Sequence, residues 1–263
     1  MSERIAGMRG MLPFHPEDVK LKFGKYLNEA ALPNIPRAFG HIGNIPPGGD
    51  WQMYGNDRYS DCVVAGACHE EMYWAHATRK ALPRFTTGSV VQEYMTLTGG
   101  QDAGLDPVEV ARYRRNQGIA DADGKRHQIK AFALIDSVSE LEYAVYLYGA
   151  AGVGVYLPKS ADRQFERHLQ WDDLSEPINP AGGHYICIIA KNRFNLFVAV
   201  TWGNLQGISA DYLKKYCFDA GAGGLAYFSK SYLLENGLSP ESINEAQLDD
   251  DLSAISNLGV RDA

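Results

Sequence analysis

The stretch GNDRYSDCVVAGA, residues 55–67, does most to decide the fold. Its first part is rich in turn-forming residues, and an apolar run opens at Cys62. Asp61 is of a type that often caps helices, so the pattern predicts a helix from residue 62 to residue 79. A thiol at the N-terminus of a helix lies at the positive end of the helix dipole, which favours the reactive thiolate.

A second stretch, GGHYICIIA at residues 182–190, places His184 at the start of a predicted strand. An imidazole near a thiol can hold its proton and return it to a leaving group. Cys62 and His184 are therefore the candidate halves of a cysteine nucleophile site. The alternative for each is an ordinary core residue, since most isolated cysteines are buried and inert.

Organisation along the chain divides into three parts. Residues 1–50 are rich in proline and glycine and are interpreted as an extended N-terminal arm, with disorder as the alternative. Residues 51–240 form the main domain, and residues 241–263 form an acidic C-terminal helix or tail.

The order of elements in the main domain is mostly helices first and strands afterwards, which is typical of an α+β domain. Further helices are predicted over 90–97, from Asp106-Pro107 to Gly118, and from the capping-box sequence Ser139-Glu140-Leu141-Glu142 to Gly149. Strands are predicted over 128–135, 152–158, 184–190, 194–201 and 225–228, and a helix capped by Ser209 is predicted to end at Cys217. A cleft between the two halves would bring Cys62 to His184.

Composition excludes several classes of function. A net charge of −7 argues against nucleic acid as a partner. Four cysteines with no Cys-x-x-Cys pair argue against a zinc site and a disulfide framework, and no cofactor or metal is implied. The N-terminus lacks a secretory signal and no apolar stretch is long enough to span a membrane, so the expected location is cytoplasmic or virion-associated.

These residues resemble the papain-like cysteine peptidases, in which a helical lobe and an antiparallel sheet lobe enclose the active-site cleft. His184 follows Cys62 by 122 residues, slightly less than the roughly 130–150 usual in that family. The resemblance implies that Asn56, six positions before Cys62, takes the place of the family's oxyanion-binding Gln. It also implies that Trp202 packs over the histidine, because Val200-Thr201-Trp202-Gly203 matches the family's Asn-Ser-Trp-Gly turn.

The departures from that family concern the group that orients the histidine. Val200 stands at the position of the orienting Asn, and Thr201 or Asn204 is a possible substitute. The family's disulfide-forming Cys before the nucleophile is absent. A second resemblance, to uncharacterised papain-like proteins of bacteriophages and bacteria, is carried by residues 55–62, 182–184 and 201–206.

The sequence therefore predicts a papain-like cysteine hydrolase that cleaves a peptide or amide bond through Cys62, His184 and Asn56. The alternative is a papain-fold structural or binding protein with weak or no activity, such as a phage virion component whose arm docks on another subunit. A peptidoglycan amidase or endopeptidase of a related Cys-His class ranks below both.

Overall fold

The computed structural model describes residues 4–40, 51–228 and 243–257. Three helices follow the turn at residues 55–59: α1 (Cys62–Ala77), α2 (Thr87–Leu97) and α3 (Pro107–Asn116). Thr86 caps α2 in a reciprocal capping box with Ser89, and Asp106 caps α3, whose first residue is proline. Helix α2 was predicted from residue 90, and it begins earlier because the Thr86 side chain accepts the Ser89 N–H.

The sheet half is antiparallel. Its strands are β3 (Phe132–Ile135), β4 (Ala151–Tyr156), β5 (Gly183–Lys191), β6 (Phe197–Thr201), β7 (Asn204–Ile208) and β8 (Gly224–Tyr227). Within the described residues they form one six-stranded sheet in the order β3-β8-β4-β5-β6-β7. A separate two-stranded ribbon pairs β1 (Ile119–Ala120) with β2 (Arg126–His127).

Helices cover both faces of the sheet. Helix α1 packs on one face, where it meets Tyr185, Cys187 and Ile189 of β5 in one apolar cluster. Helix α4 (Val138–Tyr148) packs on the other face, against Ile186 and Ile188. Because successive side chains of a strand point to opposite faces, β5 is buried along nearly its whole length. This explains the uninterrupted apolar run that follows His184.

Several boundaries differ from the prediction. The cap of α4 is Ser137 and not Ser139, because Ser137 accepts the Glu140 N–H while Glu140 accepts the Asp136 N–H. Helix α5 (Lys159–Glu166) and strand β7 were expected to be loop and turn. The helix after Ser209 is α6 (Ala210–Leu213), which continues as a π-helical turn over Lys214–Phe218.

Residues 4–40 and 243–257 pack on the main domain through buried apolar side chains. Phe14, Leu21, Phe23 and Tyr26 of the N-terminal part are buried. The last helix, α7 (Glu245–Asn257), lies against this part through a hydrogen bond of 2.8 Å from Tyr26 Oη to Asp251 Oδ2. The first two and the last six residues of the predicted C-terminal part, 241–263, lie outside the described residues.

Candidate active site

Cys62 is the first residue of α1 and is almost completely buried. Burial raises the pKa of its thiol to about 12, although backbone N–H groups of Tyr185 and Gly10 near the sulfur act in the opposite direction. The helix terminus therefore does not suffice to ionise the thiol in this closed arrangement. The other three cysteines are also buried and free.

His184, the second residue of β5, is held on two sides. Its Nε2 lies 2.7 Å from Thr201 Oγ1, and its ring stacks on Trp202 with the ring centroids 4.7 Å apart. Thr201 thus gives His184 a hydrogen-bonding partner, which the side chain of Val200 cannot, and Trp202 packs on the histidine as the resemblance implies. When Nε2–H donates to the threonine hydroxyl, the lone pair for proton transfer is on Nδ1.

The Nδ1 atom of His184 is buried without a hydrogen-bonding partner among the described residues. It belongs to a ring that lines a small cavity together with Cys62, Asn56 and Thr201. The cavity volume is about 10 Å³, close to the lower limit for a single water molecule. The fold therefore brings the predicted residues around one closed space, and no substrate fits there until the cavity opens.

Asn56 lines this cavity from the turn before α1. Its Nδ2 donates a hydrogen bond of 3.0 Å to Tyr59 O, which leaves the second N–H of the amide for another acceptor. Gly55 precedes it with a φ of 107°, a conformation that side chains rarely adopt. A Cβ on Gly55 would also lie 2.5 Å from a methyl carbon of Val91, so the turn that carries Asn56 requires glycine.

Asp61 does not cap α1 with its side chain, which corrects the expectation from sequence. Its carboxyl group is fully buried, and neither oxygen has a hydrogen bond of normal geometry to the described residues. Burial raises the pKa of Asp61 to about 8, and the nearby Asn56 amide opposes this only in part. The carboxyl group beside the thiol is therefore mostly protonated at neutral pH.

Tyr185 joins the helix of the candidate nucleophile to the strand of the candidate base. Its hydroxyl donates to Glu70 Oε1 of α1 at 2.8 Å and lies 2.7 Å from the Tyr227 hydroxyl. A Cβ at Gly66 would lie 2.5 Å from the Tyr185 ring, and one at Gly152 would overlap its hydroxyl. The two glycines thus form a slot for the ring, and α1 and β5 are linked two turns beyond the thiol.

Glu70 is itself held by Arg114 of α3, and both side chains are completely buried. Arg114 also contacts Glu71 at 3.1 Å, and its guanidinium lies over the Tyr227 ring. Burial raises the pKa of Glu70, and the positive charge of Arg114 lowers it. Because a buried charge is tolerated only with such partners, this network fixes α1, α3 and the sheet in one arrangement.

The N-terminal residues 4–12, here called the cleft segment, run across the candidate site. Met8 N–H donates to Asn56 O at 2.6 Å, and Met11 N–H donates to Gly183 O at 3.1 Å. A Cβ at Gly10 would overlap Ser60 O. The segment therefore bridges the turn before α1 and the start of β5, and it buries the thiol and the imidazole beneath it.

The cleft segment also changes the electrostatics of the site. Burial lowers the pKa of His184 to about 3, and the positive charge of Arg9 lowers it further. Burial also raises the pKa of the Cys62 thiol, so it favours the neutral form of both groups. The closed arrangement therefore disfavours the thiolate–imidazolium pair of an active cysteine nucleophile.

His69 is the remaining titratable residue of the cavity wall. Its Nε2 lies 2.9 Å from Trp51 O and 3.1 Å from Gln52 O, and burial lowers its pKa to about 4. It is a neutral histidine that ties α1 to the preceding loop.

Within residues 4–40, 51–228 and 243–257, no group of three or more His, Cys, Asp or Glu side chains is arranged to bind a metal ion. The helices in those same ranges include none with the length and apolarity to cross a bilayer.

Several solved structures with a similar architecture are cysteine proteases or their proforms. The structure of xylellain, a cysteine protease from Xylella fastidiosa, superimposes with a TM-score of 0.64 over 87% of this chain and 98% of xylellain, at 9% identity. The chain has a papain-like fold. Procathepsin B S9 from Trypanosoma congolense gives a TM-score of 0.58 at 12% identity, over 85% of this chain and 86% of that protein.

A digestive procathepsin L 3 from Tenebrio molitor gives a TM-score of 0.53 at 10% identity, over 86% of this chain and 76% of that protein. No family model matches the sequence, and no curated protein sequence is similar enough to match. At identities this low, the likeness establishes the fold alone, and the chemistry is argued from the residues.

Sequence reasoning identified Cys62, His184 and Asn56, and the structure places all three at one cavity. It named Thr201 only as one of two substitutes for the missing Asn, and it gave no role to Tyr185. Two signals in the sequence were available. Thr201 directly precedes the Trp that packs on the histidine, and Tyr185 directly follows the histidine.

Proposed function

We propose that the protein is a latent cysteine hydrolase that cleaves peptide or amide bonds. One observation carries this proposal: Cys62 and His184 line the same cavity, and Thr201 holds Nε2 of the histidine while Nδ1 has no partner within the described structure. A helix-terminal thiol beside an oriented imidazole is the arrangement that cysteine nucleophiles require.

The reaction begins when the cleft segment leaves and water or substrate reaches the pair. Nδ1 of His184 takes the thiol proton, and the Cys62 sulfur forms a bond to the substrate carbonyl carbon. The Cys62 N–H and the second N–H of Asn56 stabilise the oxyanion. The imidazolium gives its proton to the leaving amine, and the C–N bond breaks to leave a thioester. Water then attacks the thioester, and the products are a carboxylic acid and the free thiol.

A direct test uses the chain with Gly10→Ala, in which the added methyl group would overlap Ser60 O and displace the cleft segment. Hydrolysis of a fluorogenic peptide mixture is expected in this chain and is expected to disappear when Cys62→Ala is added. Cys68→Ala is the matched control, because Cys68 is a buried thiol in the same helix. Equal hydrolysis with and without Cys62→Ala would contradict the proposal.

A second candidate function is a papain-fold structural or binding protein. The observation in its favour is that the chain's own cleft segment fills the cleft and leaves only about 10 Å³ beside the thiol. In this case the protein would be a virion component of the kind suggested by the resemblance to phage proteins, located in the cytoplasm or in the virion. Assembly into a stable oligomer, together with a thiol that stays unreactive in the Gly10→Ala chain, would favour this candidate.

A further inference from the structure

Arg9 lies near the middle of the cleft segment. Its neighbour Met8 contacts Asn56, and its other neighbour, Gly10, has its backbone N–H close to the Cys62 sulfur. The charge of Arg9 acts directly on the pKa of His184. The side chain of Arg9 therefore starts from backbone that lies beside the candidate catalytic pair.

The guanidinium of Arg9 enters a site made by the main domain. Nη2 donates to Asp162 Oδ1 of α5 at 2.7 Å, and Nη1 donates to Leu157 O, just after β4, at 3.1 Å. Two different nitrogens of the planar guanidinium thus each donate a hydrogen bond to a separate acceptor. This geometry suits arginine better than lysine. Among the described residues, Arg9 is the one ion-pair partner of Asp162.

The space for this guanidinium depends on Gly182, in the loop before β5. A Cβ there would lie 3.1 Å from Arg9 Nη1 and would overlap Leu157 O. The Tyr212 hydroxyl is buried without a hydrogen-bonding partner in the described part of the chain. Burial raises the pKa of Tyr212, and the charges of Arg9 and Asp162 also act on that pKa. The Tyr212 hydroxyl therefore lies near the Arg9–Asp162 ion pair.

We propose that Asp162 and the Leu157 carbonyl form a guanidinium subsite of the cleft, which makes peptides with an arginine beside the scissile bond the substrate class. This inference rests on the proposed function. When the cleft segment leaves, the Asp162 carboxylate of α5 loses its ion-pair partner, and the Leu157 carbonyl keeps only a hydrogen bond of 3.4 Å from Asn179 Nδ2. An arginine of an incoming peptide restores both hydrogen bonds of the guanidinium, whereas an apolar side chain leaves the Asp162 carboxylate without a donor.

The first experiment measures the coupling within the intact chain by the alkylation rate of Cys62 at neutral pH. Arg9→Gln and Asp162→Asn are each expected to raise the rate about tenfold, because a partly exposed charged hydrogen bond that holds the segment is lost. The double variant is expected to react no faster than either single variant. Asp123→Asn is the control, since Asp123 forms an ion pair with Arg84 that lies elsewhere and is more exposed. Additive effects of the two substitutions would overturn the subsite.

The second experiment tests the subsite with a ligand in trans. The probe is the synthetic peptide Arg-Ile-Ala-Gly-Met-Arg-Gly-Met-Leu, the sequence of residues 4–12, and its protection of Cys62 from alkylation is measured in the Gly10→Ala chain. A matched peptide carries citrulline in place of the second arginine. We expect about tenfold weaker protection by the citrulline peptide, and no difference between the peptides once Asp162→Asn is added.

The outcomes separate the subsite from the proposed function. Equal protection by the two peptides, or a difference that survives Asp162→Asn, would overturn the guanidinium subsite even if the chain hydrolyses other peptides. Charge-dependent protection in a chain that cleaves other peptides but no arginine peptide would retain the binding subsite and overturn the substrate class. The same protection in a chain that cleaves no peptide at all would overturn the proposed hydrolase as well.

Discussion

The structure predicts that a single methyl group, added by Gly10→Ala, displaces the cleft segment. Gly10 lies so close to the turn before α1 that an added Cβ would overlap the backbone oxygen and the side chain of Ser60. Backbone atoms cannot move aside as a flexible side chain does, so Gly10→Ala must shift the cleft segment. Overpacking of this kind costs about 1–3 kcal/mol. Since about 1.4 kcal/mol is a factor of ten, the population with an open cleft should rise about 5- to 150-fold.

The assay is alkylation by iodoacetamide at neutral pH, followed for each cysteine by mass spectrometry. Cys62 is expected to react faster in the Gly10→Ala chain by the same factor as the open population, whereas the other buried cysteines serve as internal references. Gly88→Ala is the control, because a Cβ there would meet only Thr86 Oγ1, at 3.9 Å. The reasoning is refuted if Cys62 keeps its wild-type rate. It is also refuted if all four cysteines accelerate together, since that result reports global unfolding.

Three further predictions concern single buried groups around the site. In the Gly10→Ala chain, Thr201→Val should lower peptide hydrolysis about 10- to 100-fold through loss of the hydrogen bond to the histidine, and Thr201→Ser should restore most of it; equal loss in both variants would argue against orientation by the hydroxyl. Because burial raises the pKa of Asp61 from its ordinary 3.8 to about 8, the folded chain keeps a proton that the unfolded chain loses, so the free energy of unfolding should fall between about pH 4 and pH 8. Asp61→Asn should remove up to about 5 kcal/mol of this fall, as measured by urea titrations at pH 4 and at pH 8. An unchanged pH dependence of the free energy of unfolding would contradict the raised pKa of Asp61. Tyr185→Phe should raise hydrogen exchange at the start of β5 more than Tyr227→Phe, which removes a buried hydroxyl but leaves the bond to α1 intact; equal exchange in both would mean that this bond does not hold the strand.

Local signals were enough to predict an α+β domain, and the resemblance to papain-like peptidases implied the arrangement of its two lobes. The start of α1 could be read from a turn followed by an apolar run, and β5 could be read from a glycine pair followed by an apolar stretch. Both elements have short-range causes, in turn chemistry and in burial on both faces of a sheet. The same reasoning placed Cys62 and His184 at the two element starts that meet at the cleft.

Other features had no such local cause. Strand β7 contains Gly207 and Gln206, which are poor strand formers, and it exists because it pairs with β6 at the edge of the sheet. Asp61 is the right residue type for a cap, yet burial and the neighbouring turn keep its side chain from the helix N–H groups. The residue type at a single position cannot predict such effects of the tertiary structure.

The course of the cleft segment could not be predicted for the same reason. Its contacts join Gly10 to Ser60, Met11 to Gly183, and Arg9 to Asp162, at sequence separations of 50 to more than 150 residues. No periodicity or motif within the cleft segment predicts these contacts. They follow from the shape of a cleft that forms only after the two halves of the domain have folded.

The central claim is that Cys62 and His184 form a nucleophilic pair that the cleft segment keeps neutral. The most direct measurement is the pH dependence of Cys62 alkylation in the Gly10→Ala chain, with and without His184→Ala. The account predicts that Cys62 reacts at mildly acidic pH, well below the range of an ordinary thiol, and that this acidic limb disappears with His184→Ala. A profile with a midpoint near 8.5 or above in both chains would contradict it, because the thiol would then be an isolated group.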